Sequence, residues 1–232
     1  MIKIHTQTLR NRLCVAQSIK SDRRGIGLLE AMVALLVLMI GIVSIMVLMV
    51  SNTTIARNSR DQLIASNLAR EGVEIVRSVR DSNWLKIEAI ETHADDTPYK
   101  WDDGLYGAST ISYVAYPVFI GNSWELHYST NNGTFPEWKI YWKPATVAGN
   151  DAIYSQYDAG LQPADAVLTK YYRTINTNPI CYDGTNENII ANGLCSDAGN
   201  TKVGVQVKVY VAWQDNSTWR QKTLEARLYN WK

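Results

Sequence analysis

The most uniform pattern in the chain is an apolar run from Ala31 to Val50, in which only Gly41 and Ser44 are not strongly apolar. Twenty residues of α-helix extend about 30 Å, which matches the hydrocarbon thickness of a bilayer. Twelve of these residues are Leu, Ile or Val, and they favour membrane insertion by roughly 4 to 7 kcal/mol. The run therefore predicts a helix that enters a membrane or an equally dry environment.

Helical spacing continues beyond the apolar run. Residues 51–91 contain no proline and a single glycine, and their apolar positions recur at helical intervals. These positions are Ile64, Leu68, Ile75 and Val79. The pattern predicts one helix over 26–92, with a transmembrane part at about 28–50 and an amphipathic part over 51–92 that packs against a sheet.

The apolar period falls to two after Ser109, which is typical of strands. The β-rich runs occupy residues 111–120, 124–128, 138–142 and 171–175. Residues 143–169, which carry two prolines and two glycines, predict an irregular connection. The expected fold class is therefore α+β, with a long N-terminal hydrophobic helix packed against a small antiparallel β-sheet. Residues 93–232 form the β-rich head in this interpretation.

The clearest strand signal is an alternation of valines at every second position from Val203 to Val211. Turn-forming residues follow at 215–217, and apolar residues then resume at alternate positions. The resumed positions are Leu224, Ala226 and Leu228. The pattern predicts an antiparallel hairpin whose two strands present one apolar face to the core.

Charge is distributed unevenly along the chain. Residues 1–25 hold six Lys or Arg and one Asp, whereas the remainder holds 17 basic and 21 acidic residues. Basic residues before an apolar helix stay in the cytoplasm, which predicts an exported head. An ordinary secretory signal is disfavoured, because the apolar run is long and residues 47–52 lack a small-residue cleavage site. Residues 1–25 are therefore interpreted as a basic leader.

Glu30 is the one charged residue next to the apolar run, and the nearest following basic residue is Arg57. An unpaired carboxylate in a dry site costs several kcal/mol, so it needs a partner. Cleavage between Gly25 and Ile26 would create an α-ammonium one helical turn from Glu30. In a bundle of identical helices, the ammonium of one subunit can also reach Glu30 of another.

These features resemble the N-terminal motif of the type IV pilin and pseudopilin family: a basic leader ending in Gly25, an apolar Ile26, Glu30 and an uninterrupted apolar helix. The resemblance implies that a prepilin peptidase cuts after Gly25 and methylates the amine of Ile26. It also implies a pilin-like fold and assembly into a filament through Glu30. The implied partners are the peptidase, other pilin subunits, the membrane and the inner-membrane assembly machinery.

The sequence departs from many major pilins in three ways. Ile26 replaces a phenylalanine, Gly27 replaces a frequent threonine, and the run 31–50 contains no proline. The missing proline favours a minor pilin or a pseudopilin of a type II secretion filament. The subunit would be a single-pass membrane protein before assembly and part of a periplasmic or extracellular filament afterwards. The alternative is a signal-anchored extracytoplasmic binding or adhesion protein that does not polymerise.

Three cysteines occur in the chain, and one of them, Cys14, belongs to the leader. Cys181 and Cys195 remain as an even pair, separated by a loop rich in turn-forming residues. A metal site or a reactive thiol is the alternative, but no histidine lies near and two cysteines do not complete a tetrahedral site. An exported pair of this kind predicts a disulfide across the loop 181–195.

Other candidate chemistry is weak. The pairs Asp95-Asp96 and Asp102-Asp103 lack the spacing of a calcium-binding loop and are expected to be solvated. The thirteen tyrosines and most tryptophans lie in the head, where packing is the favoured role and a glycan surface stays open. The acidic head argues against nucleic-acid binding. No catalytic motif is present and His127 is expected to be an ordinary strand residue, so we expect no enzyme activity, cofactor or metal.

Overall fold

The computed structural model describes residues 26–106, 113–120, 123–130, 138–144, 153–158, 160–190, 195 and 200–231. The chain divides into two compact units, Met1–Arg57 and Asn58–Lys232. The second unit contains the sheet and the later part of the long helix. The predicted leader lies outside the described residues.

The helix α1 spans Ile26–Glu88 and is 63 residues long. Ile26 is the first described residue of this helix, and Glu88 lies four residues before the predicted end at residue 92. The end has the hydrogen bonds of a Schellman motif: the N–H of Glu91 donates to the carbonyl of Lys86 at 3.0 Å, and that of Ile90 donates to Ile87 at 3.1 Å. Ile90 has a positive φ of 56°, so the chain leaves the helical direction at this residue.

Eight strands occur within the described residues, and all strand pairings among them are antiparallel. They are β1 Tyr113–Ile120, β2 Ser123–Thr130, β3 Lys139–Lys143, β4 Ile153–Ser155, β5 Val167–Tyr182, β6 Glu187–Ile189, β7 Thr201–Asp215 and β8 Thr218–Tyr229. The predicted α+β fold class, a long N-terminal helix with an antiparallel sheet, is confirmed.

Strand β5 is the centre of the sheet. Along one edge it pairs with β7 from Tyr171 to Tyr182, and β7 pairs in turn with β8. Along its other edge it pairs with β3, β1 and β6. Strand β2 extends the sheet beyond β1, and β4 extends it beyond β3.

The sequence pattern underestimates β5. Only residues 171–175 were expected to be a strand there, and the first part of β5 and all of β4 fall in the predicted irregular connection. The later part of β5 carries Arg173 and Thr177 at the alternate positions where an apolar residue is expected, so the apolar alternation is interrupted. The strand persists because both of its edges form hydrogen-bonded ladders with neighbouring strands.

The predicted hairpin is confirmed as β7 and β8. Its core-facing valines are completely buried and pair with the predicted apolar residues of β8. The pairs are Val205 with Leu228, Val207 with Ala226 and Val209 with Leu224. The turn residues Asn216 and Ser217 have positive φ values of 43° and 74°, as the tight hairpin turns that match strand twist require.

The later part of α1 packs against this valine face. Its buried residues are Ala65, Leu68, Ala69, Val73, Ile75 and Val76. Gly72 lies so close to the sheet that an added Cβ would be 2.8 Å from Cγ1 of Val209. The predicted apolar stripe is therefore present, but small residues beside it permit the close approach of helix and sheet.

A buried arginine joins helix and sheet. Arg173 of β5 has no exposed surface, and its Nη1 lies 3.1 Å from a carboxylate oxygen of Glu71 and 3.2 Å from the carbonyl of Leu68. Its Nε donates to Oε1 of buried Gln156 at 2.9 Å. Burial lowers the pKa of Arg173, and the Glu71 carboxylate opposes that effect. The network holds one helical turn of α1 at a fixed position on β5.

Candidate functional site

The apolar part of α1 is the most unusual surface of the protein. Every large apolar side chain from Leu28 to Val50 is exposed, by 46% at Ile42 and up to 71% at Leu28. The most apolar 18-residue window has a mean hydropathy of 3.1 and is not buried. Monomeric soluble proteins rarely expose continuous apolar surface on this scale. By length and composition this helix is able to cross a membrane.

Three hydroxyl groups on or next to this surface donate to carbonyls of the helix itself. The hydroxyl of Ser44 donates to the carbonyl of Ile40 at 2.8 Å, and those of Thr53 and Thr54 donate to Val50 at 2.8 and 3.0 Å. The helix satisfies its own backbone groups, so the segment presents little that needs water. This arrangement suits a lipid environment or a bundle of apolar helices.

Glu30 is the exception on this surface. It is exposed, lies four residues after the first residue of α1, and has no ion-pair partner within the part of the chain that the structure describes. Ile26 starts the helix, whereas Gly25 lies outside the described residues. The carboxylate of Glu30 is therefore available to a partner that lies outside the described residues.

The predicted disulfide between Cys181 and Cys195 is present, and the two Cα atoms are 5.5 Å apart. Cys181 lies in β5, and both cysteines are buried. The bond joins the end of β5 to Cys195, which lies between β6 and β7 in the chain. Because both sulfurs are used in it, the alternatives of a metal site and a reactive thiol do not apply to this pair.

The two acidic pairs after the helix were expected to be solvated, but three of their carboxylates contact neighbouring side chains. Asp102 forms an ion pair with Lys202, and Asp103 lies 3.0 Å from Nε2 of His93. Asp95 accepts a hydrogen bond from the hydroxyl of Thr97 at 2.6 Å. No group of three or more His, Cys, Asp or Glu able to hold a metal ion occurs among the described residues.

His127 belongs to a small polar cluster that the sequence does not reveal. Its Nδ1 lies 2.9 Å from Oδ1 of Asp158, which also accepts a hydrogen bond from the Tyr116 hydroxyl at 2.7 Å. Burial by itself raises the pKa of Asp158, but the hydrogen bonds from Tyr116 and His127 outweigh burial and lower it. The cluster fastens the segment after β4 to the β1–β2 pair.

Many aromatic rings of the head pack on one another. The ring centroids of Tyr171 and Trp213 are 6.4 Å apart, and those of Phe119 and Trp124 are 5.0 Å apart. Tyr171 and Trp213 are also buried in the core. The contact of Tyr171 with Trp213 is of the kind expected of rings that fill space between a helix and a sheet, whereas Phe119 is 43% exposed.

Comparison of the chain with protein families, curated proteins and solved structures gives no match. The functional inference therefore depends on the residues and contacts described above.

Proposed function

We propose that this protein is a minor pilin or pseudopilin, a structural subunit of a type IV pilus or a type II secretion filament. The observation that carries the proposal is the division of one continuous helix. Residues 31–50 are apolar, exposed and directly preceded by the single carboxylate Glu30, while residues from 65 onwards form the core with the antiparallel sheet. Such a chain is suited to inserting its apolar helix into a membrane or a filament core while it displays the sheet-containing part outside.

Processing supplies the partner of Glu30 in this proposal. The prepilin peptidase hydrolyses the bond between Gly25 and Ile26, and the new α-amine of Ile26 is then N-methylated. The methylated amine keeps its positive charge, and it lies one helical turn from Glu30. The helix dipole also favours a carboxylate near the helix N-terminus. The charge pair makes Glu30 tolerable in an apolar environment.

Assembly then exchanges lipid for neighbouring subunits. The inner-membrane machinery draws the subunit out of the bilayer, and the 27–50 helices of adjoining copies bury one another. The amine of one copy pairs with Glu30 of the next, which fixes the axial register, since apolar packing alone tolerates slippage. The disulfide between Cys181 and Cys195 suits a head outside the cytoplasm.

Substitution of Glu30 by alanine tests this mechanism in cells that carry a filament machinery. Without the carboxylate, the subunit should stay in the membrane but enter sheared filaments at least about tenfold less, since losing a buried charge pair costs more than 1.4 kcal/mol. Glu74→Ala is the matched control, because Glu74 is an exposed helix glutamate paired with Arg77. Equal amounts of Glu30→Ala and wild-type subunit in filaments would contradict the mechanism.

The intact mass of the membrane-bound subunit separates the proposal from its alternative. A methylated N-terminus at Ile26 supports a processed pilin. A chain that keeps residues 1–25 supports a signal-anchored binding protein that does not polymerise, and it would overturn the proposal.

A further inference from the structure

The second unit is attached to the apolar segment at one defined end. Asn58, where the unit begins, lies only eight positions after Val50 in the chain. Eight residues of helix extend about 12 Å. If the apolar segment spans a membrane, as the proposed function requires, this tether keeps that end of the unit near the lipid headgroups.

The hairpin turn lies at this same end of the unit. Asp61 accepts a hydrogen bond from the Tyr171 hydroxyl at 3.0 Å and forms an ion pair with Lys170. Tyr171 of β5 pairs with Trp213 of β7 in the antiparallel ladder. The residues of β5 before Tyr171 therefore lie beside the turn between β7 and β8. A groove of about 660 Å³ separates the helix from the hairpin here. We call this part the turn end, formed by residues 58–66, 139–143, 153–155, 160–171 and 213–222.

The opposite part of the unit is the far end, formed by residues 80–106, 178–190, 201–206 and 225–231. Nη1 of Arg80 donates to the carbonyl of Tyr229 at 3.2 Å, and Tyr229 pairs with Gly204. Arg80 follows Asp61 by nineteen residues, about 28 Å of helix. The two ends are therefore well separated along α1.

Charge divides sharply between these ends. The turn end holds six Lys or Arg and three Asp, whereas the far end holds five Lys or Arg and ten Asp or Glu. The basic residues of the turn end are Arg60, Lys139, Lys143, Lys170, Arg220 and Lys222. Since the basic surplus lies at the end where the unit begins, the field of the unit favours binding of an anionic surface at the turn end.

The turn end also exposes aromatic and aliphatic side chains. Trp219 is 58% exposed at the hairpin, and Leu63 is exposed on the adjacent helix. Trp142, Tyr154 and Val167 form an exposed row across β4, β3 and β5. Tryptophan and tyrosine favour the headgroup region, where a ring contacts the apolar boundary and its polar atom stays hydrated.

We propose that the turn end docks on the anionic headgroups of the membrane that holds the apolar segment. The basic side chains bind lipid phosphates, and Trp219 inserts its ring beside them. A second copy of the chain is the competing occupant, because its acidic far end has the complementary charge. The tether favours lipid, since it keeps headgroups at high effective concentration before any second copy arrives.

Tryptophan quenching in nanodiscs tests this docking with the full chain. The protein is placed in discs of phosphatidylcholine, with or without phosphatidylglycerol, that contain lipid spin-labelled at the headgroup. We expect anionic lipid to increase the quenching of wild-type emission about twofold, and ~1 M NaCl to remove the increase because the Debye length falls to ~3 Å. Arg220→Gln with Lys222→Gln should reduce the increase in the same way.

Two tryptophans at opposite ends of β8 provide a matched pair. Trp219 is 58% exposed at the turn end and Trp231 is 59% exposed at the far end. Trp219→Phe should remove at least half of the anionic increase, whereas Trp231→Phe should preserve it. An increase unchanged in Trp219→Phe, or lost in Trp231→Phe, would overturn the proposal.

The remaining outcomes distinguish lipid from a second copy as the occupant of the turn end. They also separate the docking proposal from the proposed filament function. Quenching that appears only in discs holding two or more chains would assign the surface to a second copy and overturn lipid docking. Docking retained in a chain that never forms filaments would overturn the filament function alone. Normal filament assembly without an anionic increase would overturn the docking alone, and a chain that does not remain with the discs would overturn both.

Discussion

At the scale of single residues, the contact between α1 and β5 depends on a charge inside the core. Arg173 is completely buried and bonds to the helix carbonyl of Leu68, to Glu71 and to Gln156. Glu71 keeps 36% of its side chain exposed, so its carboxylate stays partly hydrated. The Leu68 carbonyl and the side-chain amide of Gln156 are buried, so they need the guanidinium of Arg173 as a hydrogen-bond donor.

Arg173→Leu should therefore lower the free energy of unfolding by about 2–4 kcal/mol, because buried acceptors lose a charged donor. Urea unfolding of the full chain in detergent, followed by tryptophan emission, measures the change. Arg77→Gln is the control: Arg77 pairs with Glu74 on an exposed helix face, and its loss should cost less than about 0.5 kcal/mol. A similar small loss for Arg173→Leu would mean that the network contributes little to the helix–sheet contact.

Asp158 provides a second test at this scale, through pH. Its pKa is lowered from the ordinary 3.8, so folding favours the ionised form. The stabilisation is complete above the unfolded pKa and disappears as the pH falls through the lower folded value. Asp158→Asn removes this contribution.

The stability difference between wild type and Asp158→Asn should accordingly shrink as the pH is lowered from 6 to 2. Thermal unfolding at several pH values measures it, and the difference isolates Asp158 from other carboxylates with lowered pKa, such as Asp183 and Glu225. Asp165→Asn serves as an exposed control. A wild-type advantage that stays constant over this range would exclude a role for the Asp158 charge.

At the scale of elements, α1 approaches β7 closely because a glycine faces a valine. An added Cβ on Gly72 would lie 2.8 and 3.2 Å from the two methyl groups of Val209, which is completely buried. Valine is stiff at χ1, so it cannot move aside without shifting its strand. The glycine weakens the helix locally but permits the packing.

Gly72→Ala should lower the free energy of unfolding by about 1–2 kcal/mol, because overpacking of about 1–3 kcal/mol exceeds the helix-propensity gain of about 1 kcal/mol. Val209→Ala in the same chain should relieve the clash, so the double-mutant cycle should show a favourable coupling of at least about 1 kcal/mol. Urea unfolding of all four proteins gives the cycle. Additive effects would show that the close contact carries no strain.

At the scale of the whole molecule, the two units differ in what stabilises them. The second unit has its own core, which contains Ala65, Leu68 and Ala69 of α1, whereas residues 27–57 are exposed throughout. The second unit should therefore fold without the apolar segment, in the manner of an independent domain.

A chain of residues 52–232 should be soluble without detergent, contain the Cys181–Cys195 disulfide and unfold cooperatively. Gel filtration, thiol titration and circular dichroism measure these properties. A chain of residues 73–232 is the control: it lacks buried Leu68, whose burial contributes about 1.5–3 kcal/mol, and it leaves buried Arg173 without Glu71 and the Leu68 carbonyl, so it should not fold. Aggregation of the 52–232 chain would show that the second unit needs the apolar segment.

The sequence alone was sufficient for features that depend on local pattern. The apolar run, the β7–β8 hairpin and the α+β class follow from residue spacing, and the cysteine pair follows from composition and context. These features can be read from the sequence because the pattern of buried positions within one helix or strand repeats with the period of that element and does not depend on distant residues. The proposed processing at Gly25 and the role of Glu30 also come from sequence, and the structure contributes the exposed apolar helix that makes them chemically reasonable.

The tertiary structure decided whatever depends on residues far apart in the chain. The long β5 strand, the buried Arg173, the close contact at Gly72 and the polar cluster at Asp158 have no periodic signature, because their partners are defined by the fold. The separation of basic and acidic residues between the two ends of the second unit is of the same kind. A near-neutral total charge conceals it, since only folding places Arg60, Lys170 and Lys222 at one end.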